Sequence, residues 1–217
     1  DGYTLMMTTN TAHSANPYLF KKLRYDPLKD FTPVARVNQF LFALAVKADS
    51  PIKTPAELLA YAKANPGKVS YGFGNSTGQV AGAHFVKYGR IEAVPVPYKS
   101  TPPAMTDIAV GQIDFIFVDW AAAQPFLKSR KLKLIAVQSD QRSALLPDLP
   151  PVGETVPGYN FTVWGGLIAP AGVPPAIVNT LNTAVNKVLA TPAIRERMMG
   201  LGLEPFPATV EEFRKFA

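Results

Sequence analysis

Between Pro51 and Val137 the chain alternates helix-period segments with short apolar runs of strand character. That alternation is the signature of an open α/β sheet. Thr54-Pro55-Ala56-Glu57 predicts a helix start, with Thr as N-cap, Pro in the first turn and Glu at the third position. Leu58, Leu59 and Ala62 form its apolar stripe, and Asn65-Pro66-Gly67 stops it. Lys68 to Lys87 reads as a short strand, a glycine-rich turn and a second helix, with Val80, Ala83, Phe85 and Val86 on the apolar side. Ala93 to Tyr98 is a short strand whose prolines assign it to an edge or an end. A helix over Thr101–Val110 follows, with Pro102 and Pro103 at its start. Ile113 to Val118 is a buried strand ended by Asp119, Ala121 to Leu127 a short helix, and Leu132 to Val137 another strand.

The flanks are organised differently. Tyr3 to Thr8 reads as a strand and Thr9 to Asn16 as a polar loop, with Asn16-Pro17 favouring a turn or helix start. Lys29 to Val37 leads into Phe40–Val46, a continuous apolar run typical of a strand buried on both faces. Asp140 to Tyr159 is Pro-rich and loop-like; Phe161 to Ala169 resumes a strand. Pro174 to Ala190 carries Ile177, Val178, Leu181, Val185, Val188 and Leu189 at helical spacing. Further helices are expected from Thr191 and near Val210. The chain leaves its first region along residues 40–46 and returns along 161–168. An α/β unit inserted there predicts two lobes, 1–41 with 164–217 and 42–163, hinged by two crossing strands and leaving a cleft.

Of the 217 residues 47% are hydrophobic and 18% charged, which places the chain among globular rather than disordered sequences. No apolar run approaches the ~18 residues of a membrane-spanning helix. Cysteine is absent, which excludes disulfides, thiolate catalysis and Cys-ligated zinc. The net charge of +6 favours anionic partners, yet Lys and Arg are scattered. Their one cluster, Lys128-Ser-Arg-Lys-Leu-Lys133, lacks the interleaved aromatics of a nucleic-acid platform and reads as a solvated helix-to-strand turn. No enzyme constellation is present. The two histidines lack metal-ligand spacing with a partner, there is no Gly-x-Ser-x-Gly elbow or P-loop, and Gly72-Phe-Gly74 lacks the third glycine of a dinucleotide fingerprint. Neither a cofactor nor a metal is expected, nor a nucleic-acid partner.

The turn holds the best candidate for binding. Gly72, Gly74 and Gly78 let the backbone bend and come close to a guest. Asn75, Ser76 and Thr77 are good N-cap residues. The helix behind them opens with free N–H groups and the positive end of its dipole, a ready site for a carboxylate or phosphate. A strand–turn–helix connection that binds nothing has the same composition. Asp119 either caps the helix after it or receives a ligand hydroxyl or amino group. Lys99 reads as a surface lysine, Asp114 as a strand-start residue, and Trp120 and His84 as packing residues.

Asp1-Gly-Tyr-Thr-Leu5, His13-Ser-Ala-Asn-Pro17, Tyr25-Asp-Pro-Leu-Lys-Asp-Phe-Thr-Pro-Val34, Gly74-Asn-Ser-Thr-Gly-Gln-Val-Ala-Gly82, Val96-Pro-Tyr-Lys-Ser100, Gly111-Gln-Ile-Asp114, Lys131–Val137, Arg142–Pro151 and Trp164–Gly172 recur in one order. In that order and spacing the chain resembles the substrate-binding proteins of tripartite tricarboxylate transporters, the Bug (Bordetella uptake gene) family. The resemblance implies a two-lobe periplasmic-binding-protein-like α/β fold of type II. It implies a periplasmic receptor, monomeric when complete, that closes over a small organic carboxylate and hands it to membrane permease subunits. Ligand carboxylates would be held by backbone amides, small hydroxyls and ordered waters from two facing loops, one of them Gly74–Gly78. It also places His13 in a loop facing the cleft, and Trp164 either on the cleft wall or packed on the hinge. The other binding loop and the first strand are expected before Asp1, so the first lobe is expected to be incomplete here. The alternative with the same architecture is the ligand-sensing effector domain of a transcription regulator or signalling receptor.

Overall fold

The computed structural model describes residues 4–139 and 142–216. Asp1–Tyr3, which open the expected first strand and the Asp1–Leu5 motif, lie outside the described residues, as do Asp140 and Gln141 of the Pro-rich stretch and Ala217. In chain order the elements are β1 (Met6–Thr9), a π-helical turn (Thr11–Ala15), α1 (Asn16–Leu19), β2 (Phe31–Phe40), β3 (Phe42–Lys47), α2 (Pro55–Ala64), β4 (Val69–Phe73) and α3 (Ser76–Gly89). There follow β5 (Ala93–Pro97), α4 (Thr101–Val110), β6 (Phe115–Asp119), α5 (Trp120–Lys128), β7 (Leu132–Val137) and α6 (Val152–Thr155). The chain ends with β8 (Val163–Pro170), α7 (Pro175–Leu189), α8 (Pro192–Gly200), β9 (Leu203–Pro205) and α9 (Val210–Phe216). They fall into two compact units, Leu41–Thr162 and the pair Asp1–Phe40 with Val163–Ala217.

In the unit Leu41–Thr162 the sheet order is β5-β4-β6-β3-β7. β4 pairs in parallel with β5 and with β6, while β3 runs antiparallel to both β6 and β7. The sheet is therefore mixed, and β5, β4, β6 and β7 share one direction. One face buries Leu44, Phe85, Phe115, Phe117 and Tyr159 beneath α2 and α3; the other buries Met105, Ile108, Ile116 and Val118 beneath α4 and α5. The start of α2 follows its sequence. Thr54 accepts from the Glu57 amide, and Glu57 reaches back to the Thr54 amide, a complete capping box. The proline-bearing β5 lies at the sheet edge, where its missing donors cost nothing. Asp114 takes the Ser70 amide at 2.8 Å and the Ser70 hydroxyl at 3.0 Å, pinning the starts of β4 and β6 together.

In the other unit all pairings are antiparallel, in the order β1-β8-β2-β9. Val34, Ala35 and Ala169 pack against Val178 of α7, while Trp164 and Ile168 pack against Phe213 of α9. Pro33 lies inside β2 at a register slip between Pro33 and Ala35, where a missing amide donor breaks no ladder bond.

The structure departs from the sequence expectations in three places. The apolar run Phe40–Val46 is not one strand: β2 ends at Phe40, and β3 begins at Phe42 in the other sheet. Thr9–Asn16 is not a loop but largely a helical turn. The buried side of α3 is Gly78, Ala81, Gly82, Phe85 and Gly89, not Val80 and Ala83, because its glycines press the helix close to β4.

That close approach sets a test. Alanine is better than glycine inside a helix by about 1 kcal/mol. At Gly82, however, a β-carbon would lie 2.4 Å from two atoms of the Tyr71 ring, which is buried and stacked on Phe115 at 5.5 Å. Overpacking of a locked ring costs about 1–3 kcal/mol and outweighs propensity. Gly82→Ala is therefore expected to lower the denaturation midpoint, by up to about 2 kcal/mol of stability. An unchanged or raised midpoint in urea would show that Tyr71 has room to move.

Candidate functional site

The shared direction of β4, β5 and β6 brings three strand-to-helix turns to one end of their sheet. β4 turns into α3 at Gly74-Asn75, β5 into α4 at Tyr98–Ser100, and β6 into α5 directly after Asp119. In open α/β sheets ligands sit beyond the carboxyl ends of the strands, where positive helix ends and unpaired amides collect.

Gly74 and Gly78 are needed there for space. Neither has positive φ, so the sharp-bend expectation gives way to one of close packing. A β-carbon on Gly74 would lie 2.0 Å from the carbonyl carbon of Ser100 and 2.2 Å from the Thr101 nitrogen. The close guest of this glycine is thus the neighbouring turn of the same chain. A β-carbon on Gly78 would lie 3.3 Å from the Phe117 carbonyl oxygen, so the first turn of α3 rests against β6.

Of the three N-cap candidates, Asn75 takes the role. Its side-chain oxygen accepts the Gly78 amide at 2.8 Å. Its side-chain nitrogen donates to the Thr101 hydroxyl at 3.2 Å, tying the α3 turn to the α4 turn. Ser76 and Thr77 are half-buried at the first two positions of α3. Among the described residues none pairs with their amides or their hydroxyls. The Thr101 hydroxyl accepts from Asn75 and keeps its own proton for donation. The turn therefore offers several donors and no side-chain cation. Tyr98 anchors the second turn by donating to Asp107 at 2.7 Å; burial and that carboxylate push its pKa up to about 12.

Asp119 is the N-cap of α5 and accepts the Ala122 amide at 2.8 Å through one oxygen. Its other oxygen makes no further hydrogen bond among the described residues. His13 and Trp164 belong to the other unit and meet each other there, with ring centroids 6.0 Å apart. His13 Nδ1 lies 3.1 Å from the Thr8 hydroxyl. Trp164 is 3% exposed and packs edge-on against Phe213 at 5.3 Å. His84 packs edge-on between Tyr88 and Phe161, and Lys99 is exposed. Sequence reasoning did not single out Thr101, although Ser100-Thr101-Pro102-Pro103 marked a second helix start at the same sheet end. It also passed over Gln138, directly after β7. No His, Cys, Asp or Glu cluster among the described residues is able to hold a metal ion, and no described helix is long and apolar enough to cross a membrane.

The family model described as the tripartite tricarboxylate transporter family receptor, TctC, matches residues 1–217. The chain belongs to this family. A UPF0065 protein of Bordetella bronchiseptica is 37% identical over an alignment of 212 residues that covers 94% of this chain and 61% of that relative. Among solved structures, R. palustris Rpa4515 with adipate matches with a TM-score of 0.85 at 30% identity, covering 100% of this chain and 73% of that one. MatC from Rhodopseudomonas palustris with bound malate matches with a TM-score of 0.77 at 28% identity, covering 100% and 76%. The TctC chain described here thus has the mixed α/β, two-lobe binding-protein fold, and it spans less than two thirds of the length of its Bordetella bronchiseptica relative.

Burial holds the pKa of His13 and of His84 below the ordinary 6.5, and Lys87 adds to the effect at His84. Both rings thus resist protonation in the fold, whereas the unfolded chain takes up protons near 6.5. Their contribution to stability is full above that pH and is lost as pH falls from there through the lower folded pKa. Melting temperature is expected to drop as pH falls below about 6.5. In His84→Phe, which keeps the ring contacts, this slope should flatten; an identical slope would assign the acid sensitivity elsewhere.

Proposed function

We propose that this chain forms the ligand-holding part of a periplasmic solute receptor. It captures a small organic carboxylate and presents it to the permease subunits of a tripartite tricarboxylate-type membrane transporter. It is not an enzyme on this reading. The two compact units serve as the two lobes, which close over the ligand and open to release it. Closure is driven only by the ligand's preference for the closed form.

The observation that carries the reading is the β4–α3 turn. It presents the unpaired Ser76 and Thr77 amides and hydroxyls at a helix N-terminus, braced by Asn75 against Thr101. A carboxylate seated there accepts charge-assisted hydrogen bonds and gains from the helix dipole. The relatives bound to adipate and malate support small carboxylates as the ligand class. Asp119, with one oxygen engaged in capping, offers its second oxygen to a ligand hydroxyl or amino group. His13 of the other lobe is proposed to serve the ligand, with the buried Trp164 packed against its ring rather than facing the ligand itself.

The test uses the protein as its gene encodes it. A thermal-shift screen of carboxylates identifies the ligand, since saturation at about 100 times the dissociation constant stabilises by about 2.7 kcal/mol. Calorimetry then compares Ser76→Ala and Thr77→Ala with the parent. A hydrogen bond to a charged group is worth about 1.5–3 kcal/mol, so each variant is expected to bind about tenfold more weakly or worse. Unchanged affinity in both would remove the turn from the site.

A further inference from the structure

Gln138 follows β7 and is 2% exposed. Its side-chain nitrogen donates to the Phe161 carbonyl at 3.5 Å, whereas its side-chain oxygen is buried with no partner. The Phe161 carbonyl can only accept, so the amide nitrogen must face it, and the orphan oxygen points the other way. A buried acceptor left unpaired is costly, and proteins rarely leave one without a use.

Its place in the sheet connects it to the candidate site. Phe42 is paired with Asp119 on one side, and its carbonyl accepts the Gln138 amide at 2.8 Å on the other. Asp119, Phe42 and Gln138 thus form one row at the sheet end where α3 begins. The pleat puts residues of one row on the same face. Two strand spacings separate β6 from β7 across β3, about 9–10 Å, comparable with a small diacid and its hydrogen-bonding shell.

Two other buried polar atoms of this unit, His84 Nδ1 and the Tyr159 hydroxyl, also lack partners. They lie deeper. His84 is eight residues beyond Ser76 along α3, roughly 12 Å down the helix. Tyr159 stacks on Phe117, two residues short of Asp119 along β6. Gln138 alone of the three stands in the terminal row.

We infer that Gln138 is a specificity-determining residue whose buried side-chain oxygen accepts a hydrogen bond from a hydroxyl or ammonium group on the ligand. This rests on the carboxylate-receptor reading above and deepens it. With a carboxylate on the Ser76–Thr77 amides, the row Asp119–Phe42–Gln138 presents acceptors to the rest of the ligand. A neutral acceptor such as the Gln138 oxygen gains a hydrogen bond from a donor and gains nothing from a bare methylene. The ligand class is accordingly a carboxylate that also bears a hydroxyl or ammonium donor, in preference to an unsubstituted diacid.

Malate and succinate differ by one hydroxyl, aspartate and succinate by one ammonium, and calorimetry on the full protein compares all three. The parent is expected to favour malate or aspartate over succinate by about tenfold or more. Gln138→Met, which keeps volume and removes the acceptor, should reduce that preference to within about twofold and leave succinate affinity nearly unchanged. A melt of the variant confirms that it is folded, and Gln138→Glu, which keeps an acceptor, should retain the preference for aspartate. Equal binding of all three by the parent overturns the inference and leaves the receptor reading intact. So does a preference that survives in Gln138→Met, which would assign the orphan oxygen to internal water. Failure of every carboxylate to bind overturns the receptor reading and this inference together.

Discussion

At Gly74 the backbone runs so close to Ser100 and Thr101 that a single β-carbon would overlap their main chain. Everything at this end of the sheet follows from that approach. It brings the N-termini of α3 and α4 side by side. It sets Asn75 within 3.2 Å of the Thr101 hydroxyl, so one carboxamide caps its own helix and tethers the next. Asp114 clamps the starts of β4 and β6 together, and in that register β6 runs two residues beyond the end of β4. Several weak local bonds thus fix a turn whose amides at Ser76 and Thr77 have no partner among the described residues.

Much of this was legible from residues in order. The helix over Thr101–Val110, the strand over Leu132–Val137, the Thr54 capping box and the edge position of the proline-rich β5 follow from local rules of capping and punctuation. Local rules do not report which sheet a strand joins. The run Phe40–Val46 has one apolar character throughout, yet its residues divide between two sheets at Leu41, because each half pairs with partners far along the chain. For the same reason the apolar pattern of α3 misled. Glycines carry no hydrophobicity, so a helix that packs through Gly78, Gly82 and Gly89 hides its buried side from a periodicity count.

The candidate site was legible as a turn and illegible as a constellation. Asn75, Ser76 and Thr77 announced a helix start, and glycine spacing announced close approach. The sequence carried no sign that Thr101, twenty-six residues on, would share the Asn75 side chain. Gln138 was likewise invisible, because a polar residue after an apolar strand reads as its solvated end. Only the register through Phe42 shows that it shares a row with Asp119 and that its oxygen is buried without a partner.

The absence of a cation from the Gly74–Gly78 turn has a physical logic for a receptor that must let go. A carboxylate held by Lys or Arg leaves an unpaired charge when it departs, and burying that charge in a closing site is costly. Amides and hydroxyls at a helix N-terminus are neutral. Water satisfies them when the ligand is gone, and the dipole still favours an anion when one arrives. Such a site trades maximal affinity for reversibility. On the proposed reading it also shifts the burden of selectivity to groups farther along the ligand, where an acceptor such as Asp119 or Gln138 would discriminate by what it cannot accommodate.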